Sequence, residues 1–168
     1  MSRLLLLLRH AKSSWDDPSL ADHERPLAPR GRRAAESMAK HLRSSAPHPD
    51  LVLCSSALRT RETLDRMSKA FGDAEVVVDD ALYGATDDLL LERLRGVADR
   101  FETVAMIGHN PGVHDLAIAL AGGGPDLDRM RAKFPAGALA VLAFDGSWRE
   151  LAPGDGRLEA FVTPKDLA

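Results

Sequence analysis

Leu4-Leu5-Leu6-Leu7-Leu8-Arg9-His10-Ala11-Lys12-Ser13-Ser14-Trp15 is the stretch that decides the fold of this chain. Five consecutive leucines carry no polar alternation, so the run reads as a strand covered on both faces, as in a parallel sheet flanked by helices. Arg9 and His10 stand where that strand ends. In an open α/β sheet, ligands collect beyond the carboxyl ends of the strands, so the run also aims two anion-competent side chains at a ligand position. A charged exit from the core serves solvation equally well, and one such pair does not define a site.

Two further strand ends supply the missing weight. Thr103 to Ile107 is a second short apolar run, and it leaves through Gly108-His109-Asn110-Pro111-Gly112 into a helical stretch from Val113 to Ala121. Leu51-Val52-Leu53-Cys54 is a third, leaving through Ser55-Ser56-Ala57-Leu58 into Arg59-Thr60-Arg61-Glu62-Thr63. If the three strands are neighbours, Arg9, His10, Arg59 and His109 converge on one small cavity.

The remaining segments fit the same architecture. Residues 16–28 are turn-like, broken by Asp16-Asp17-Pro18 and Arg25-Pro26-Leu27. Pro29 suits a first helical position, and Ala34, Ala35, Met38, Ala39 and Leu42 mark a helical stripe to about Ser44. A helix from about Leu58 to Phe71 leads to a strand over Glu75 to Val78. Thr86 before Asp87-Asp88 predicts a capped helix running to about Ala98. Gly122-Gly123-Gly124-Pro125 reads as a loop, Ala138 to Phe144 as a strand turning toward Trp148 to Leu151, and Leu158 to Val162 as another edge segment. Strands alternating with helices predict a single three-layer α/β/α domain over 1–168, with a mostly parallel sheet and an antiparallel edge.

Bulk properties narrow the function. A chain of 168 residues buries a sizeable core without disulfides or metal. The single cysteine, Cys54, excludes an intrachain disulfide and a cysteine-rich zinc site, and reads as a packing residue. The leucine run is too short to span a bilayer and no cleavage signature follows it, so a cytoplasmic protein without membrane contact is expected. A formal net charge of −3 argues against a nucleic-acid partner. The charge is uneven: residues 1–69 hold 13 Lys and Arg against 8 Asp and Glu, whereas residues 70–168 hold 9 against 17. An anionic ligand held by the first half fits that asymmetry, as do solvated helix faces.

Arginine forks match phosphate oxygens bidentately and stay charged at ordinary pH. Histidines titrate near neutrality, at about 6.5 when unperturbed. Helices starting just beyond Arg59 and Pro111 would point backbone donors at the same anion. Together these groups suit phosphoryl transfer in which one neutral imidazole attacks phosphorus in line and water later releases the phosphohistidine intermediate. Such chemistry requires neither a metal nor a cofactor. Two histidines in different environments can divide the tasks of nucleophile and stabilising cation, but spacing does not say which does which.

Arg9-His10-Ala11-Lys12-Ser13-Ser14-Trp15-Asp16 resembles the Arg-His-Gly-Glu-Ser-x-Trp-Asn signature of the histidine phosphatase superfamily, which includes the phosphoglycerate mutases. Ser55 to Thr63 is similar to that family's Ser-Pro-x-x-Arg-Ala-x-Gln-Thr segment, and Gly108-His109 to its second histidine. The resemblance implies a phosphoglycerate mutase-like fold, His10 as the phosphorylated nucleophile, and Arg9, Arg59 and His109 as binders of the transferring phosphoryl group. The short chain, Arg25-Pro26-Leu27 and Gly108-His109-Asn110-Pro111-Gly112 resemble the compact bacterial phosphohistidine phosphatases. Those relatives imply a phosphorylated signalling protein as partner. A small phosphomonoester substrate is the alternative within the enzyme class, and a non-catalytic phosphate-binding module lies outside it.

The chain departs from the pattern at Ala11 and Lys12, which replace Gly and Glu, and at Asp16, where mutase-like members carry Asn. These changes argue against mutase activity. Asp80, three residues before Tyr83-Gly84, occupies the position of the mutases' general acid and is the candidate proton donor. Ser13, Asp16, Arg25 and Asn110 are candidate substrate-binding residues. Trp15 is expected to pack, Arg61 to face solvent or pair with an acid, and His23, His41, His48 and His114 to be surface or packing residues. The oligomeric state is not legible.

Overall fold

The computed structural model describes residues 2–168. Strand β1 (Ser2–Arg9) contains the leucine run, and Leu5 to Leu8 are each at most 1% exposed. Helix α1 (Pro29–Ser45) follows, then β2 (Leu51–Ser55), α2 (Leu58–Arg66), α3 (Ser68–Phe71) and β3 (Glu75–Asp79). Helix α4 (Asp87–Arg95), β4 (Thr103–Gly108), α5 (Gly112–Leu120), β5 (Ala121–Gly123) and α6 (Leu127–Ala132) follow. Strands β6 (Leu139–Asp145) and β7 (Gly156–Val162) come next, followed by a 3-10 turn over Pro164–Leu167.

All seven strands form one sheet in the order β3-β2-β4-β1-β6-β7-β5. Strand β1 pairs in parallel with β4, β4 with β2, and β2 with β3; β6 is the strand that opposes the rest. Strand β6 does pair with an antiparallel partner, but that partner is β7 rather than the expected segment from Trp148 to Leu151, and β6 lies inside the sheet against β1.

The period of two along β1 sorts its leucines between two cores. Leu5 and Leu7 join Val104, Met106, Leu53 and residues of α4, α5 and α6. Leu6 and Leu8 join Val52, Ala105, Ile107 and residues of α1 to α3. Each leucine so buried contributes about 2 kcal/mol relative to exposure, which explains why the run tolerates no polar residue. The chain moves outward from β1 to β2 to β3, then reverses, and β4 drops between β2 and β1. That reversal makes the carboxyl ends of β2, β4 and β1 adjacent.

Four boundaries differ from the sequence reading. The helix expected from Leu58 to Phe71 breaks at Met67, which leaves helical geometry with its side chain buried. Gly122 and Gly123, read as loop, pair with β7 at the sheet edge, a backbone role that leaves no side-chain pattern. The segment from Trp148, expected as a strand, is a single 3-10 turn over Trp148–Glu150, since Ser147 caps Glu150 and Trp148 is fully buried with Nε1 donating to the Phe101 carbonyl at 2.7 Å. The partner of β6 is the longer segment 156–162. Helix α6 was not legible, having only Leu127 and Met130 as apolar anchors.

Candidate active site

Arg9 at the end of β1 and the next residue, His10, meet His109, which follows β4 directly. Arg59 reaches the same point from the first turn of α2. All four line one cavity of about 510 Å³, together with Ser13, Arg25 and Asn110. The convergence expected from the strand ends is what the sheet order produces. The rings of His10 and His109 have centroids 5.2 Å apart.

His10 is buried, and its Nδ1 lies 2.7 Å from the Ala11 carbonyl. A carbonyl only accepts, so Nδ1 carries the proton and the neutral ring keeps its lone pair on Nε2. Burial pushes the His10 pKa down to about 3, with His109, Arg59 and Arg9 adding charge repulsion and only the Ala11 carbonyl opposing. His10 is thus a neutral imidazole with one free nucleophilic nitrogen.

His109 is held differently. Its Nε2 lies 2.8 Å from Ser55 Oγ, and Arg59 approaches Nδ1 at 3.5 Å. The guanidinium can only donate, which leaves Nε2–H to donate to the serine. Burial, then Arg59, lowers the His109 pKa to about 4. Burial also lowers the pKa of Arg9, whose Nη1 donates to the Phe134 carbonyl at 3.1 Å.

The loop after β1 is folded back as a second strand of support. Ser14 N donates to the Pro26 carbonyl and Ala28 N to that of Lys12, while Ser13 and Leu27 form a β-bridge. Gly31 in the first turn of α1 permits this closeness, because a Cβ there would stand 2.1 Å from the Lys12 carbonyl oxygen. Two residues of the third motif fasten the loop to α2: Glu62 Oε1 accepts from Leu27 N at 2.7 Å, and Thr63 Oγ1 accepts from Ala11 N at 3.1 Å.

That folding delivers a carboxylate the sequence did not single out. Asp22 accepts from Arg59 Nη2 at 3.0 Å, from the Tyr83 hydroxyl at 2.6 Å and from Arg25 Nε at 3.2 Å. Its backbone carbonyl takes Arg59 Nη1 at 2.7 Å. The Tyr83 hydroxyl first, then Arg59 and Arg25, hold this carboxyl well below the usual carboxylate range, and the Tyr83 hydroxyl is correspondingly pushed up. His23, read as a surface or packing residue, lies 2.9 Å from Ser56 Oγ and packs edge-on against Tyr83. Asp22 lies in a segment with no periodic or motif signal, and Tyr83 entered the sequence reading only as a landmark for Asp80; the three-dimensional closure of residues 16–28 brings the two together.

Several candidate residues fall elsewhere. Asp80 is exposed and does not line the cavity; β3 is an edge strand, and the chain reaches the pocket only at Tyr83 and Gly84. Asp16 is exposed outside the cavity too, with its N–H on Ser14 Oγ. Trp15, expected to pack, is 74% exposed and lies against the Arg25 guanidinium at 3.5 Å on the rim. Pro111 and Gly112 do not line the pocket, so the helix-terminal donors expected there are absent from its wall. Ser13 accepts from Arg25 Nη1 at 2.9 Å, and Asn110 donates to the Phe134 carbonyl at 2.9 Å. Arg61 is exposed, bonded to the Ser56 carbonyl. Cys54 is buried, and burial pushes its thiol up to about 12, consistent with packing. Among the described residues, no group of three or more His, Cys, Asp and Glu side chains is placed to hold a metal ion, and no helix is long and apolar enough to cross a membrane.

Residues 5–85 match the family model of the histidine phosphatase superfamily, branch 1. The chain belongs to this superfamily, as a histidine-nucleophile phosphatase with a phosphoglycerate mutase-like fold. It is 40% identical over 162 residues to an uncharacterised protein of Mycobacterium tuberculosis, covering 94% of this chain and all of that one. It is also similar to the structure assigned as the phosphohistidine phosphatase SixA of Nakamurella multipartitia, at 33% identity and a TM-score of 0.85 over 98% of this chain and 97% of that one. The corresponding protein of Agrobacterium tumefaciens is 30% identical, with a TM-score of 0.83 over 96% and 98% of the two chains.

Proposed function

We propose that this protein is a metal-independent phosphatase that forms a phosphohistidine on His10 and takes its phosphoryl group from phosphohistidine on another protein. The observation that carries the reading is the fixed tautomer of His10: Nδ1–H on the Ala11 carbonyl, Nε2 free, and arginines around it. In the first step Nε2 attacks phosphorus, the bond from phosphorus to the substrate nitrogen breaks, and the substrate imidazole leaves as a neutral ring after protonation. Arg9 and Arg59 neutralise the equatorial oxygens, with His109 beside them, and Arg25 with Ser13 completes the rim. Water then attacks the phosphorus on His10, giving inorganic phosphate and the free imidazole.

An imidazole leaving group takes a proton near neutrality, so this substrate does not need a carboxylic acid deep in the pocket. That suits a site from which Asp80 is missing. The likeness to the two assigned phosphohistidine phosphatases supports the same substrate class.

Incubation with radiolabelled phosphoramidate or aryl phosphate should leave acid-labile phosphate on His10, absent from His10→Ala, with turnover unaffected by EDTA. An unlabelled, inactive wild-type protein would overturn the reading. Rates on a phosphohistidine peptide and on a panel of small phosphomonoesters separate protein from metabolite substrates.

A further inference from the structure

A second cavity, about 1040 Å³, opens beside the phosphate pocket between α1 and the C-terminal segment. Arg9, Lys12 and Ala136 line both cavities, so whatever fills the groove is contiguous with the phosphoryl site. Its cations are Arg9, Lys12, Arg30, Arg33, Lys133 and Lys165, and no Asp or Glu lines it. None of the six has an ion-pair partner among the described residues. The nearest carboxylate in sequence, Asp166, is bonded to Thr163 N and to Arg129. Six like charges gathered in one concavity, set against at most the α-carboxylate of Ala168 that also lines it, repel one another and favour an anionic occupant.

Between the cations the walls are mostly apolar, formed by Ala34, Pro135, Pro164 and Leu167, with Ser37 and Thr163 as neutral polar members. A free oligophosphate has nothing to place against them, whereas a peptide with alternating acidic and aliphatic side chains covers both kinds of surface. Lys12 also finds its place here: the residue that departs from the family's acidic position is, with Arg9, a cation shared by pocket and groove.

We propose that this groove docks an acidic segment with interspersed aliphatic side chains, carried by the phosphohistidine protein beside its phosphorylated residue. The inference rests on the substrate reading above and adds the flanking chemistry that the enzyme selects.

The probe is a fluorescein-labelled, unphosphorylated peptide alternating Glu and Leu, followed by anisotropy against the full-length protein. It should bind, a Lys–Leu counterpart should not, and binding should weaken about tenfold in the Arg33→Glu/Lys165→Glu double variant and again at raised salt. Each single variant should show part of that loss, which covers the case of a double variant that fails to fold. Turnover of p-nitrophenyl phosphate, which does not reach the groove, should stay at the wild-type level in these variants. Equal binding by the Glu–Leu and Lys–Leu peptides, or no loss in the variants, overturns the proposal. Equal binding by a Glu–Ser peptide, or displacement by tripolyphosphate regardless of Leu, also overturns it and assigns the groove to simple polyanions. Because the probe carries no phosphate, failure of the groove is read separately from failure to hydrolyse a phosphohistidine peptide, which would sink the catalytic reading.

Discussion

At the scale of single residues, the site's chemistry rests on keeping one imidazole neutral among arginines. Burial holds His10 near about 3 and His109 near about 4. A free histidine would protonate through about 6.5 and lose its lone pair. The expected profile of kcat/KM on p-nitrophenyl phosphate therefore has no acidic limb near that value; a rate that falls through about pH 6.5 on acidification would refute the assignment of His10 as a pre-formed neutral nucleophile. Asp22 presents the second test. It occupies the Arg59 fork in the free protein and places a negative charge where an anion must arrive. Asp22→Asn removes that charge but also loosens Arg59, so tungstate should inhibit several-fold more tightly while kcat falls about tenfold. Unchanged inhibition with unchanged kcat would show that Asp22 neither competes with anions nor positions the arginine. The four principal residues were legible because each lies at or just beyond the end of an apolar run, Arg59 one short loop further on than the others. Asp22 and Tyr83 were not, since their roles depend on how the loop of residues 16–28 closes, and Asp80 was misplaced because spacing from Tyr83-Gly84 carries no information about which way an edge strand exits.

At the scale of elements, the loop after β1 is held by α1 and α2 together, and Gly31 is the point where one of those supports touches backbone. A methyl group there would collide with the Lys12 carbonyl, which already accepts from Ala28 N. Neither partner is the flexible end of a side chain, so relief requires α1 or the loop to shift. Gly31→Ala should therefore cost about 1–3 kcal/mol, read as a lowered Tm, and should lower kcat as the His10 loop moves. A variant with wild-type Tm and kcat would show that α1 adjusts freely. The elements legible in the sequence were those with an unbroken apolar run or a helical stripe: β1, β2, β4, α1 and α5 fall within a residue or two of expectation. Elements held by backbone pairing or by one buried side chain were not legible. Strand β5 is made of small residues, α6 has two anchors, and the turn at Trp148 forms because that indole fills the core beneath it rather than alternating along a strand.

At the scale of the whole molecule, sheet order turns separate motifs into a site: β4 inserted between β2 and β1 is a fact of topology that the sequence constrains through strand and helix alternation but does not state. The same assembly makes stability depend on pH. Both histidines have folded-state pKa values below their unfolded value of about 6.5. As pH falls through about 6.5 the unfolded chain takes up protons that the folded site refuses, so the equilibrium shifts toward unfolding until the folded rings themselves protonate near about 4 and about 3. The stability these neutral histidines permit is complete above about pH 6.5 and is lost progressively below it. Asp22, whose carboxyl is held low by Tyr83 and the arginines, acts in a different window: its contribution is present above an unfolded value of about 3.9 and disappears only as pH falls below that. Thermal melts between about pH 8 and about pH 4.5 thus isolate the histidines, and Tm should decline steadily below about pH 6.5. His10→Gln, which cannot titrate, should flatten part of that decline while Asp22→Asn leaves its slope unchanged. A Tm constant across the range in the wild-type protein would mean that the buried pair protonates in place, and that the interior around His10 and His109 accommodates charge as readily as water does.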